Sequence, residues 1–208
     1  SLRAEVAALK TQLAAISAKV DAVEKKPVAE VKWKGGPETS GQGGWTFKPR
    51  GRIHYDAGYV SVPGDYAVNR NLGFNSRVRR VRLGAEGSMP GGFGYKVEAD
   101  FAGGNVAFGD TFLSYNPSNT PFSVRIGNFE SLNGMEQITS SNNASFTERA
   151  AFNDAFLNSR RLGGAVAWRD SDNVLRAEVG LFAGHSIDNS FDNDGWIGAG
   201  RLTYAPKA

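Results

Sequence analysis

The chain contains no cysteine among its 208 residues, which excludes a disulfide framework and any thiolate metal site. Every apolar run falls far short of the ~20 residues that a membrane-crossing helix needs. Two histidines, unaccompanied by cysteine, make a poor basis for a metal site or a catalytic centre, and nothing in the chain calls for a cofactor. Charge of one sign is also missing: 24 basic and 21 acidic residues leave a net charge of +3. A sequence-wide basic surface for nucleic acid is therefore absent, and acidic residues interleave with the aromatics, which argues against base stacking. No leader segment stands at Ser1, as expected of either a cytoplasmic chain or a processed one.

What is present falls into three segments: 1–26, 27–44 and 45–208. In "SLRAEVAALKTQLAAISAKVDAVEKK", Leu2, Val6, Leu9, Leu13, Ile16, Val20 and Val23 follow the alternating four-and-three spacing of an a/d heptad seam. An isolated helix of this length is marginal, so the seam needs a partner, and a self-associating coiled coil is the expected one. The mixed Ile, Val and Leu seam leaves the number of strands open, a trimer included. Pro27 ends the pattern, and the glycine- and charge-rich 27–44 stretch reads as a flexible, solvated linker, with a basic collar as the alternative.

From Trp45 onward the period drops to two. In "RIHYDAGYV" Ile53, Tyr55, Ala57 and Tyr59 alternate with Arg52, His54, Asp56 and Gly58, and in "YKVEADF" Tyr95, Val97, Ala99 and Phe101 alternate with Lys96, Glu98 and Asp100. With 77–87, 107–115, 122–129, 161–168, 174–183 and 196–204 this makes about eight strands. "SMPGGFG", "NPSNTP" and "RDSDN" are tight turns after the even-numbered strands, whereas most of the other connections are long. Short turns at one end and longer loops at the other are the hairpin pattern of an antiparallel outer-membrane barrel.

The stretch "NSRVRRVRLGAEG" tests that reading. Parity sends Val81, Leu83 and Ala85 to an outer, lipid-facing side and Arg80, Arg82 and Glu86 to a wet interior, joined there by Arg52, His54, Asp56, Lys96, Glu98 and Asp100. Arg77 and Arg79 have the outward parity. An arginine on the lipid face at mid-membrane costs ~2–4 kcal/mol, so both belong at the rim or are turned inward by a bulge or loop. Ionised groups of both signs in such number suit a water-filled pore rather than a dry core, and clustered arginines suit bidentate oxyanion contacts. Paired charges bracing the wall are the structural alternative. The 131–158 segment is too long for a simple hairpin and contains Ile138, Phe146, Phe152, Phe156 and Leu157. Folded inward it would bring Arg149 or Arg160 towards the axis; packed outside or against a neighbouring subunit it would act as a lid.

The heptad amino terminus, "GRIHYDAG", "RVRRVRLGAEG…GYKVEADF" and "VRIGNFES…FTERAAFNDAFLNSRRLGGAVAW" together resemble the phosphate-selective porin (porin O and P) family, over roughly residues 45–204. The resemblance implies a homotrimeric outer-membrane barrel of about sixteen strands, with the coiled coil in the periplasm and an arginine-lined path for phosphate or other small anions. It carries the family's paired constriction arginines to Arg79 and Arg80, its inward-folding loop arginine to Arg149, and its acidic constriction residue to Asp100; the parity reading sets Arg82 beside them, with Arg52 and Lys96 as further lumenal residues. Arg79 must then face inward despite its parity. Only about half the expected strands are present, which fits an amino-terminal portion of a longer porin or a smaller, self-filled barrel. A different class also remains open: a structural envelope protein whose coiled coil tethers the outer membrane to periplasmic or cell-wall partners. "DNSFDNDG" departs from calcium-loop spacing and reads as an ordinary polar loop, and "GGPETSGQGG" lacks the flanking strand and helix of a phosphate-binding loop.

Overall fold

The computed structural model describes residues 2–24, 30–61, 73–146, 148–156, 159–188 and 195–206. In chain order they form α1 (Leu2–Glu24), β1 (Glu30–Trp33), β2 (Pro37–Ser40), β3 (Thr46–Val60), β4 (Gly73–Met89), β5 (Phe93–Asp100), β6 (Ala107–Phe108), β7 (Thr111–Tyr115), β8 (Phe122–Glu130), α2 (Met135–Ile138), α3 (Ala151–Ala155), β9 (Arg160–Arg169), β10 (Leu175–Ala183) and β11 (Trp196–Tyr204). Among them, eleven strands make one sheet in the order β1-β2-β3-β4-β5-β7-β8-β9-β10-β11, with β6 paired to β5, and every pairing is antiparallel. None of the described helices is long and apolar enough to cross a membrane.

Local chemistry explains the corners. The β4–β5 turn needs two left-handed residues in succession, supplied by Gly91 and Gly92 at φ 81° and 87°. In the β9–β10 turn Asn173 adopts φ 57°, while Asp170 Oδ1 accepts the Val174 and Leu175 amides at 2.8 and 3.2 Å. The 107–115 stretch, one strand by pattern, is divided at Gly109–Asp110. Gly109 lies against Glu98, with no room there for a Cβ, and Asp110 turns to two basic side chains. The 27–44 stretch, read from sequence as a linker, carries the β1–β2 hairpin, joined to β3 by Thr39↔Phe47 and Ser40↔Thr46. Pro27, Leu157, residues 62–72 of the 61–76 connection and residues 189–194 of the 184–195 connection lie outside the described residues.

The pleat sorts the two faces. Ile53↔Val81, Leu83↔Ala99, Ala85↔Val97, Tyr95↔Leu113, Leu113↔Ile126, Val124↔Val166 and Val166↔Val179 run as a continuous apolar ladder across the sheet. Much of this face is open: Ile53 is 75% and Leu202 72% exposed. A soluble protein would cover so broad an apolar surface. On the opposite face His54↔Arg80, Arg52↔Arg82, Arg82↔Asp100 and Glu86↔Lys96 stand in register.

The register slips by one residue between His54 and Tyr55: His54 faces Arg80, but Tyr55 faces Val78. Arg79 is thus the extra residue of a β-bulge, and beyond it Arg77 falls opposite Asp56 on the charged face. Without that insertion both arginines would share the face of Leu83. The bulge keeps all four arginines of "RVRRVR" off the apolar side.

Charge gives way to packing further along. Phe129, Leu132 and Phe182 are buried on the inner side with Phe112, Ala165, Ile197 and Ala199 against them. Phe129 meets Phe112 and Phe182 edge-on, at ring separations of 6.0 and 5.3 Å. Gly163 and Gly180 have no space for a Cβ because the Phe182 ring lies on both and the Leu181 carbonyl crowds Gly163 as well.

Candidate functional site

The 131–158 segment lies over the charged face, between β3–β4 and β8–β9. Its hold is polar. Arg149 donates from Nε to the Glu136 carbonyl at 3.1 Å and from Nη2 to the Gln137 and Thr139 carbonyls at 3.1 and 3.0 Å. Glu136 accepts the Ala150 amide at 3.0 Å and the Asn153 side chain at 2.6 Å. The segment's phenylalanines do not anchor it: Phe146 and Phe156 are 80% and 75% exposed, and Phe152 is exposed too. Ile138 alone of the described expected anchors is half-buried. Contacts to the sheet are Arg52 Nη1 to Ser141 Oγ at 2.6 Å, Gln137 Nε2 to Glu130 at 3.1 Å, and Glu148 to Arg77 and Arg79 at 3.2 and 2.5 Å.

Beneath this cover the charges separate into neutralised and un-neutralised groups. Arg79 is held by Asp56 at 3.3 Å as well as by Glu148. Arg82 binds Asp100 at 2.8 Å and Glu98 at 3.0 Å, and Asp100 also accepts the Val81 and Ala102 amides. Lys96 and Arg160 share Asp110, each at 2.7 Å, and Arg160 reaches on to Glu130 at 3.0 Å. At the far side Glu178 takes Arg176 and Arg201, while Arg125 sits over the Phe112 and Phe129 rings, 4.7 and 5.1 Å from their centroids.

Arg52, Arg80 and Arg149 form no ion pair among the described residues: Arg52 bonds a serine hydroxyl, Arg80 meets His54 Nδ1 at 3.3 Å, and Arg149 bonds carbonyls. Two cavities open here. One, of about 360 Å³, is lined by His54, Arg79, Arg80, Ser141, Glu148 and Arg149. The other, of about 210 Å³, is bounded by Arg52, Arg80, Lys96, Ser141, Arg149 and Arg160 among others. Arg80, Ser141 and Arg149 line both, so they stand at the junction.

Of the residues singled out in the sequence, Arg52, Arg80 and Arg149 gather around this junction. Arg79 lines the larger cavity with its charge already matched. Arg82, Asp100 and Lys96 lie on the same face but are bound to one another or to neighbouring acids. Ser141 and Glu148 were not legible as contributors, although Glu148 directly precedes Arg149 in "FTER". His54 bonds an arginine.

An antiparallel sheet with one exposed apolar face, one charged face and a long loop folded over the charged side is built as a membrane channel wall is built. The comparison with protein families agrees: residues 47–208 match the model of phosphate-selective porin O and P. The chain belongs to that family. An uncharacterized protein of Caulobacter vibrioides is 32% identical over 250 aligned positions, which take in 100% of this chain and 50% of that protein. The chain thus spans about half the length of the curated relative it matches.

Proposed function

We propose that the chain forms the amino-terminal part of an outer-membrane β-barrel that passes small anions, phosphate foremost, by passive diffusion. In this reading the apolar face contacts lipid, the charged face lines a water-filled lumen, and the 131–158 loop narrows it. The observation that carries the proposal is the sorting of charge beneath the loop. Carboxylates neutralise Arg79, Arg82, Lys96 and Arg160, and leave Arg52, Arg80 and Arg149 around open space. An oxyanion there would exchange part of its hydration for guanidinium contacts. Conduction needs those contacts to be several and individually weak, and arginines along two joined cavities supply that.

The exposed heptad seam of α1, where Leu9 and Leu13 are 63% and 70% exposed, supports self-association, and the family resemblance makes a trimer with this seam on the periplasmic side the assembly we propose. The same seam supports the tether to periplasmic or cell-wall partners as a second reading. Recording the full-length protein in a planar bilayer decides between them. Anion-selective current blocked by phosphate, both weakened in Arg80→Ala, with insertion in threefold conductance steps, is the expected result. A closed or cation-selective channel indifferent to phosphate would remove the transport reading and leave the tether.

A further inference from the structure

His54 sits on β3 opposite Arg80, in the wall of the larger cavity, and its Nδ1 lies 3.3 Å from Arg80 Nη1. A guanidinium has donors only, so Nδ1 accepts, and the ring in this geometry is neutral with its proton on Nε2. Arg80 has no carboxylate partner among the described residues to orient it, so this acceptor is the group that fixes its direction. We propose that His54 is a positioning and specificity-determining residue of the anion path: neutral, it aims Arg80; protonated, it releases Arg80 and adds its own charge to the cavity.

Each part has a physical basis. Histidine is the side chain whose ordinary titration falls between about pH 5 and 8. A proton on Nδ1 would set two donors against each other and end the bond to Arg80. The groups that face the ring are of both signs. Arg52 and Asp56 flank it on β3, Arg79, Arg80 and Arg82 stand on β4, and Glu148, Arg149 and the Asn142 side chain come from the loop. Asp56 and Glu148 are already engaged by Arg77 and Arg79, so a charge gained by His54 meets an anion in the cavity without a carboxylate of its own to cancel it.

The inference rests on the anion-channel reading, and its test separates the two. Sulfate is the probe, because it stays divalent from about pH 8 to about pH 5.5 whereas phosphate changes charge. In bilayer recordings of the full-length protein, sulfate block of chloride current is expected to tighten about tenfold over that range. In His54→Asn the amide oxygen takes the place of Nδ1 and cannot titrate, so block should stay at the alkaline wild-type value at every pH. In His54→Phe Arg80 loses its acceptor, and block should be weaker than wild type at both ends. Wild-type block that does not change with pH overturns the proposal. So does His54→Asn that keeps the wild-type pH profile, or His54→Phe that blocks like wild type. A channel that sulfate does not block at any pH overturns the anion path itself, and this role with it.

Discussion

The charged face has two unlike halves. From β3 to β5 it carries Arg52, Arg80 and Arg82 around open volume, while from β8 to β11 the same face is filled by Phe129 and Phe182 with Phe112 against them. In this second half Arg125 lies over the Phe112 and Phe129 rings, and Glu178 engages Arg176 and Arg201. One half leaves open volume among its charges, the other is a packed buttress from which the 131–158 segment departs, since Leu132 at its root belongs to the aromatic cluster. On the proposed reading, the difference separates where substitutions change stability from where they change conduction.

The largest effect is expected in the packed half. Phe182 is fully buried, lies on Gly163 and Gly180, and meets Phe129 edge-on. Phe182→Ala leaves a cavity that those glycines cannot fill, and should cost ~3–5 kcal/mol of stability. Denaturant unfolding in detergent micelles checks it. A loss below that of an exposed substitution such as Phe146→Ala would mean that this half is not a core.

Arg82→Ala should do less to the fold and more to selectivity. It leaves Glu98, 8% exposed, and Asp100 without their guanidinium partner, a loss of ~1–3 kcal/mol in unfolding experiments. Two uncompensated carboxylates beside the cavities should also move the reversal potential in a chloride gradient towards cation selectivity. Arg80→Ala, which uncovers no carboxylate, should weaken phosphate block with little change in stability. Equal stability losses from the two would erase the distinction between neutralised and un-neutralised arginines.

That distinction marks how far the sequence could be read. Period-two parity placed Arg52, His54, Lys96, Glu98 and Asp100 on one face because each strand alternates cleanly, and it left Arg77 and Arg79, which could not share the side of Leu83 at mid-membrane, to the rim or to a bulge or loop, of which the register shows the bulge. Which arginines are neutralised depends on cross-strand register: Arg52 falls opposite Arg82, and the acids that serve Arg82 stand on the next strand. No local pattern encodes that. The β1–β2 hairpin was hidden because its strands are short and flanked by glycine. The loop's phenylalanines misled because the segment is held by Arg149 and Glu136 bonding partners 10 to 17 residues away, which leave no periodic trace.

The smallest effect should come from the clasp between loop and sheet. Glu148 touches Arg77 and Arg79 from a position where its own side chain is 65% exposed, and an exposed ion pair contributes ~0–1 kcal/mol. Glu148→Gln keeps the shape and removes the charge, so unfolding should barely change. Arg79 would still have Asp56 at 3.3 Å, but Arg77, 3.8 Å from that same carboxylate, would lose its closer partner. The wall of the larger cavity then gains net positive charge, and anion selectivity should rise modestly at low salt and converge with wild type near 1 M, where charges a few ångströms apart are screened. A large drop in stability would instead make the clasp a structural brace, and would move the boundary between the two halves of this face up to the loop itself.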